Sequence, residues 1–215
     1  MSHASIERVL LLHGIWMPGA SMRWMAARLR KAGFKARIQG YPGSLGGPSA
    51  SLPLLARSMR EADAVVAHSL GGLMALETLR RYEDLPVRRV VCLASPLCGS
   101  SAARQLRQHW WGATMLHHCA DFLSRGLQAW EGEAQAGMIA GIRARGMGHY
   151  FTRFNGVSDG TVVLEETRLL GLTDFCQVDA SHSGILFSRM AAHQSETFLR
   201  KGRFDQTMTD MAVSA

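Results

Sequence analysis

Long apolar runs are missing from this sequence. No uninterrupted stretch approaches the ~20 residues a helix needs to cross a bilayer, so no transmembrane segment is expected. The first residues lack the basic cluster of a secretory leader. The run Val9-Leu10-Leu11-Leu12 is too short for a leader's apolar region and leads straight into His13-Gly14 with no small-residue cleavage site. It reads better as a first core strand. Cysteine is scarce. Cys92, Cys98, Cys119 and Cys176 form no CxxC and no paired framework. Cys92 and Cys176 sit in apolar segments, where cysteine acts as a small hydrophobe. These absences point to a reducing cytoplasm. Dense basic runs and nucleic-acid motifs are also absent, although the net charge is +7, with 24 Lys+Arg against 17 Asp+Glu. The excess is arginine scattered over expected helices (Arg28, Arg30, Arg57, Arg60, Arg80, Arg81), which reads as a solvated surface rather than a nucleic-acid footprint. The sharper alternative is attraction to anionic lipid at a membrane periphery, or to a phosphate-bearing acyl carrier.

What is present is a chain of 215 residues, 47% hydrophobic and 19% charged, suited to one globular domain. No internal repeat or linker divides it. A single domain over 1–204 is expected, with a loose tail at 205–215. Short apolar β-branched runs alternate with helical patterns, the mark of an α/β fold with a mostly parallel sheet and helices on both faces. Strands are expected at Ile6–Leu12, Phe34–Tyr41, Asp63–Ala67, Arg89–Ala94, Ala136–Ile142 and Phe175–Val178. Helices are expected at Met22–Ala32, Leu52–Ala62, Leu70–Tyr82 and Gly184–Arg200. The Gly/Pro/Ser-rich stretch Pro42–Ser51 reads as a loop. Pro96–Glu133, irregular and rich in Trp, His and Met, is the candidate for an inserted cap or lid.

Val65-Val66-Ala67-His68-Ser69-Leu70-Gly71-Gly72 carries the strongest chemical signal. A buried strand ends, a serine follows, and a helix begins, as in a nucleophile elbow. Such a turn needs small residues two before and two after the serine, here Ala67 and Gly71. The bland alternative is that Ser69 only caps the helix. His13-Gly14-Ile15 follows the first strand and suits a loop that aims backbone N–H groups at a developing oxyanion. Asp159 lies in Ser158-Asp159-Gly160-Thr161-Val162, and His182 in Ser181-His182-Ser183-Gly184, between a strand and a helix. The order Ser69, Asp159, His182 is the Ser…Asp…His order of the α/β-hydrolase fold. Asp174 and Asp179 are the rival acids. Glu165 and Glu166 read as a solvated pair. His68 reads as a packing or hydrogen-bonding residue of the elbow, and His193 as structural. His109, His117, His118 and Cys119 lack a second ligand pair, so no metal is expected.

With these segments in order, the chain resembles the α/β-hydrolase superfamily, in its compact lipase/esterase-like form. The resemblance rests on Leu12-His13-Gly14-Ile15, Ala67-His68-Ser69-Leu70-Gly71-Gly72, Ser95-Pro96-Leu97-Cys98-Gly99-Ser100, Ser158-Asp159-Gly160-Thr161-Val162 and Ser181-His182-Ser183-Gly184. It implies a triad of Ser69, Asp159 and His182, an oxyanion hole of Ile15 and Leu70, and no cofactor. It implies hydrolysis of a small-molecule ester or acyl substrate. A thioesterase or acyltransferase acting on CoA- or carrier-linked acyl groups is the alternative, and a binding protein that has lost catalysis is a third class. Trp16, Trp110, Trp111 and Met115 are the candidate substrate-contacting residues.

Overall fold

Strands that are buried on both faces read as near-continuous apolar runs, and the central strands of this chain are apolar apart from one end residue each. The structure, a computed structural model, describes residues 5–109, 116–144 and 156–207. Among them, six strands form one all-parallel sheet in the order β2-β1-β3-β4-β5-β6. They are β1 (Arg8–Leu12), β2 (Lys35–Gln39), β3 (Ala64–His68), β4 (Arg89–Leu93), β5 (Gln135–Gly141) and β6 (Asp174–Val178). Every residue of β3 is buried, whereas the edge strand β2 alternates exposed and buried. Six α-helices accompany them among the described residues: α1 (Arg23–Lys31), α2 (Gly43–Met59), α3 (Leu70–Arg81), α4 (Ser101–Leu106), α5 (Ala120–Arg125) and α6 (Arg189–Lys201).

Alternate residues of each strand feed opposite faces. Val9, Leu11, Val66 and Val91 pack with α1 and α6 through Met25, Leu29 and Phe198. Leu10, Leu12, Val65 and Val90 pack with α2 and α3 through Leu55, Met59, Leu73 and Leu76. The α/β fold with helices on both faces, expected from the sequence, is what forms. The chain leaves β1 for its neighbour β2 on one side, and leaves β3 for β4 on the other. The C-terminal ends of β1 and β3 therefore flank a topological switch point, the place where open parallel sheets form their crevice.

Two expectations need correction. Pro42–Ser51 is not a loop. Pro42 precedes α2 at its N-cap and Gly43–Ser51 form its first part, kinked where Gly47 adopts φ 59° and ψ −166°. The glycine absorbs the break and Pro48 restarts the helix immediately after it, a position proline tolerates because an N-terminal N–H has no helical partner. Gly184–Arg200 is not one helix. A 3₁₀ turn over Gly184–Phe187 ends at the extended Ser188, whose hydroxyl caps α6 by accepting from the Ala191 N–H at 3.2 Å. The break turns Phe187 outward, where it is exposed.

The described parts of 96–133 pack on the body of the fold. Leu97, Ala103, Leu116, Cys119 and Leu123 join the core under α2, and the Cys119 thiol donates to the Gly43 carbonyl at 2.8 Å. At the C-terminal end, Phe204 is buried and Asp205 exchanges hydrogen bonds with the Gln194 side chain at 2.9 and 2.8 Å; residues 208–215 of the expected tail lie outside the described residues.

Candidate active site

Ser69 stands at the junction of β3 and α3 with φ 52° and ψ −121°. A non-glycine residue holds such a backbone only when its surroundings force it. Here the Ser69 N–H is tied to the Leu93 carbonyl of β4 at 2.9 Å, and its own carbonyl accepts from the Gly72 N–H at 3.0 Å. A Cβ added at Gly71 would lie 2.7 Å from the His13 carbonyl oxygen, so the approach of the β1 loop to the elbow admits only glycine there. The Ser69 hydroxyl does not cap α3. It lies 3.1 Å from His182 Nε2.

His182 comes from the loop after β6. Its Nδ1–H donates to Asp159 Oδ2 at 2.7 Å, and its backbone N–H donates to the Asp159 carbonyl at 2.9 Å. The other carboxylate oxygen, Oδ1, accepts from the Thr161 and Val162 N–H groups at 2.8 and 2.7 Å. Asp159 is thus buried with each oxygen satisfied, and only Nε2 of His182 is left facing the serine. The structure brings together the three residues that the sequence order selects. The rivals are engaged elsewhere. Asp174 accepts from the Phe204 N–H at 2.7 Å, and Asp179 is gripped by the Arg143 guanidinium. Glu165 pairs with Arg168 at 3.7 Å, and His193 lies 3.9 Å from Asp205.

Glu166 departs from the solvated-pair expectation. It is buried and accepts backbone N–H groups from Ser101 and, at 3.1 Å, from Val163. It thereby joins the start of α4 to the loop that carries Asp159. A two-residue acidic run carries no sign of which member turns inward.

The N–H groups of Ile15 and Leu70 have no hydrogen-bond partner among the described residues. Leu70 opens α3, where helical N–H groups have no partner of their own. Ile15 is placed by a device the sequence did not reveal. His13 is buried and stacks on Tyr41 with ring centroids 4.5 Å apart. The Tyr41 hydroxyl donates to the His13 carbonyl at 2.7 Å. His13 Nδ1–H donates to the Gly14 carbonyl at 2.8 Å, and burial holds the His13 pKa below its ordinary value. The Gly14–Ile15 peptide is planar and trans, so fixing its carbonyl fixes the Ile15 N–H in the opposite direction. Trp16, next along, is half exposed at φ 58°. Trp110, Trp111 and Met115 lie outside the described residues. Among the described residues no group of His, Cys, Asp or Glu side chains is arranged to hold a metal ion. Nor is any helix among them long and apolar enough to cross a membrane.

No protein-family model matches the sequence, and no curated protein is similar to it at the sequence level. Solved structures are. The mature lipase BlEst2 of Bacillus licheniformis superposes with a TM-score of 0.75 at 20% identity, over 93% of this chain and 94% of that one. Phospholipase PlaB of Legionella pneumophila gives 0.66 at 13% identity, covering 97% of this chain and 62% of its own length. An extracellular α/β-hydrolase of a Paenibacillus species gives 0.57 at 14% identity, over 89% and 98% of the two chains. The architecture is the α/β-hydrolase fold.

Proposed function

We propose that this chain is a serine hydrolase that cleaves carboxylic esters through an acyl-enzyme on Ser69. The observation that carries the reading is the line from Ser69 Oγ to His182 Nε2 at 3.1 Å and from His182 Nδ1 to Asp159 at 2.7 Å. His182 takes the serine proton as Oγ attacks the acyl carbon. Asp159 keeps the proton on Nδ1, so Nε2 is free to accept, and it stabilises the imidazolium that forms. The Leu70 and Ile15 N–H groups receive the oxyanion of the tetrahedral intermediate. His182 returns its proton to the leaving alcohol, and water, activated the same way, releases the acid. The chemistry is complete without a metal or organic cofactor. Structural neighbours named as a lipase, a phospholipase and an α/β-hydrolase support the same class. Trp16, half exposed, is proposed as a substrate contact, and the same role is proposed for Trp110, Trp111 and Met115.

A cleft lined by Arg8, Arg30, Lys35 and Arg37 gives no support to a phosphate-bearing donor. It lies at the N-terminal ends of β1 and β2, opposite the site, and Arg8, Lys35 and Arg37 are paired with Asp63, Glu7 and Glu61.

The test is labelling with a fluorophosphonate, followed by a panel of p-nitrophenyl esters of varied chain length run beside acyl-CoA thioesters. Adduct on Ser69 and ester turnover are expected. Turnover confined to the thioesters would shift the substrate class while keeping the site. A wild-type protein that neither labels nor turns over any acyl substrate would refute the reading.

A further inference from the structure

His68 has no step in the mechanism above, yet its ring is wholly buried beside the base. Its Nε2–H donates to the backbone carbonyl of His182 at 2.9 Å, and the two rings lie 4.8 Å apart. A carbonyl oxygen only accepts, so Nε2 must carry the proton and Nδ1 is left as a bare lone pair. That Nδ1 is buried with no hydrogen-bond partner among the described residues. Gly14 closes the space against it. A Cβ added at Gly14 would fall 2.9 Å from His68 Nδ1 and 3.1 Å from the Ser69 Cβ. One ring therefore wedges between the oxyanion loop, the elbow and the loop of the base.

We propose that His68 is a positioning residue for His182, fixing the backbone of the base from the carbonyl side while Asp159 fixes it from the N–H side. The proposal rests on the reading of Ser69 and His182 as the reacting pair. His182 is then held at three points. Its N–H is on the Asp159 carbonyl at 2.9 Å, its Nδ1 is on the Asp159 carboxylate at 2.7 Å, and its carbonyl is on His68. The first two bonds belong to the acid loop. Only the third ties the base to the rigid strand that also presents the nucleophile. Without it, the acid and base could shift together relative to Ser69 with their own contacts intact. The 3.1 Å approach of Nε2 to Oγ would be populated less often, and a small misplacement of a reacting group costs rate steeply. A protonated His68 would keep its Nε2–H donor but bury a cation with nothing among the described residues to accept its Nδ1–H. Burial, with the His182 ring beside it, lowers the His68 pKa to about 3.

Two measurements test this. In the wild-type protein, ¹⁵N NMR should show His68 as the Nε2–H tautomer, with Nδ1 unprotonated at neutral pH. An Nδ1–H tautomer removes the donor to His182 and overturns the proposal whatever the activity. The second compares His68→Gln, whose amide reaches the place of Nε2, with His68→Asn, whose amide reaches only that of Nδ1. Normalised to folded protein, H68Q should keep kcat and the rate of Ser69 phosphonylation within about fivefold, and H68N should lose roughly thirtyfold or more in both, with KM changed less than about twofold. Equal losses in the two variants, or none in H68N, would reject the positioning role. If neither variant folds, the tautomer decides. A wild-type protein that does not label at Ser69 would defeat the ester-hydrolase reading, and the tautomer would still report whether the contact exists.

Discussion

The elbow at 65–72 and the segment at 96–133 flank the same central strands but are specified in opposite ways. In the elbow, residues adjacent in the chain do the work. The valines of β3 pack the sheet, Ser69 takes the strained turn, and Gly71 lets the β1 loop pass. In the other segment the partners are distant. Ser100 N–H donates to the Leu123 carbonyl, Leu127 N–H to the Leu97 carbonyl, and Cys119 to Gly43. Glu166 then ties α4 to the acid loop. Local specification makes the elbow readable and intolerant of change. Distributed specification makes the second segment depend on contacts that no local stretch of sequence announces.

The sharpest way to break the contrast is at Ser69. Ser69→Ala should cut ester turnover by about 10⁶-fold, as removal of a triad nucleophile does. Its thermal midpoint should stay close to wild type, because the hydroxyl neither caps α3 nor fills a cavity. Wild-type-like turnover by the folded variant would remove Ser69 from the reaction. Next in size is Asp159→Asn, with an expected loss of up to ~10⁴-fold in kcat, since an amide facing Nδ1 favours the wrong tautomer. A loss confined to stability would make Asp159 only the organiser of its loop, a part it also plays through Thr161 and Val162.

Legibility follows the same division. Apolar patterning places all six strands to within two residues, because each is a short apolar run between turn signals. The elbow marks Ser69, chain order and the family resemblance mark Asp159 and His182 as candidates, and the three side chains meet in space. Two helix boundaries failed where one residue decides. Gly47 allows α2 to begin within what composition marks as a loop, and Ser188 ends a 3₁₀ turn inside an unbroken apolar pattern. The sequence does not reveal the anchor Tyr41, because its role depends on His13, its partner in the loop after the adjacent strand β1. Glu166 was misread because nothing beside it reveals that Ser101, far earlier in the chain, needs its carboxylate.

Glu166→Gln sharpens the comparison from the other region. One oxygen becomes an amide N–H₂ facing a buried backbone N–H, so about 2 kcal/mol of stability should be lost, the usual cost of an unsatisfied buried donor. Urea unfolding reads this directly. The chemical step should suffer far less than in Asp159→Asn, because Glu166 reaches the site only through Val163. A kcat loss as large as that of Asp159→Asn would mean that the two regions form one unit.

Acid gives the mildest probe, and it acts on the elbow side. His68 is buried as a neutral ring, its pKa lowered from 6.5 to about 3, first by burial and then by the neighbouring His182 and His13. A group whose folded pKa is depressed binds protons more readily when the chain is unfolded. Its contribution is therefore fully present above the unfolded value of 6.5 and is lost as pH falls from there toward 3. Between pH 7.5 and 5.5 that amounts to about 1.4 kcal/mol for His68 alone. His13, also lowered by burial, adds in the same direction. His68 lies in the elbow and His13 in the loop after β1 that abuts it, whereas His117 and His118 of the other segment are exposed. His68→Gln carries no titrating ring and should flatten the slope of urea stability against pH by that amount over the same interval. An unchanged slope in His68→Gln would mean that the elbow histidine is not held neutral in the folded protein, and the acid sensitivity would have to come from another group.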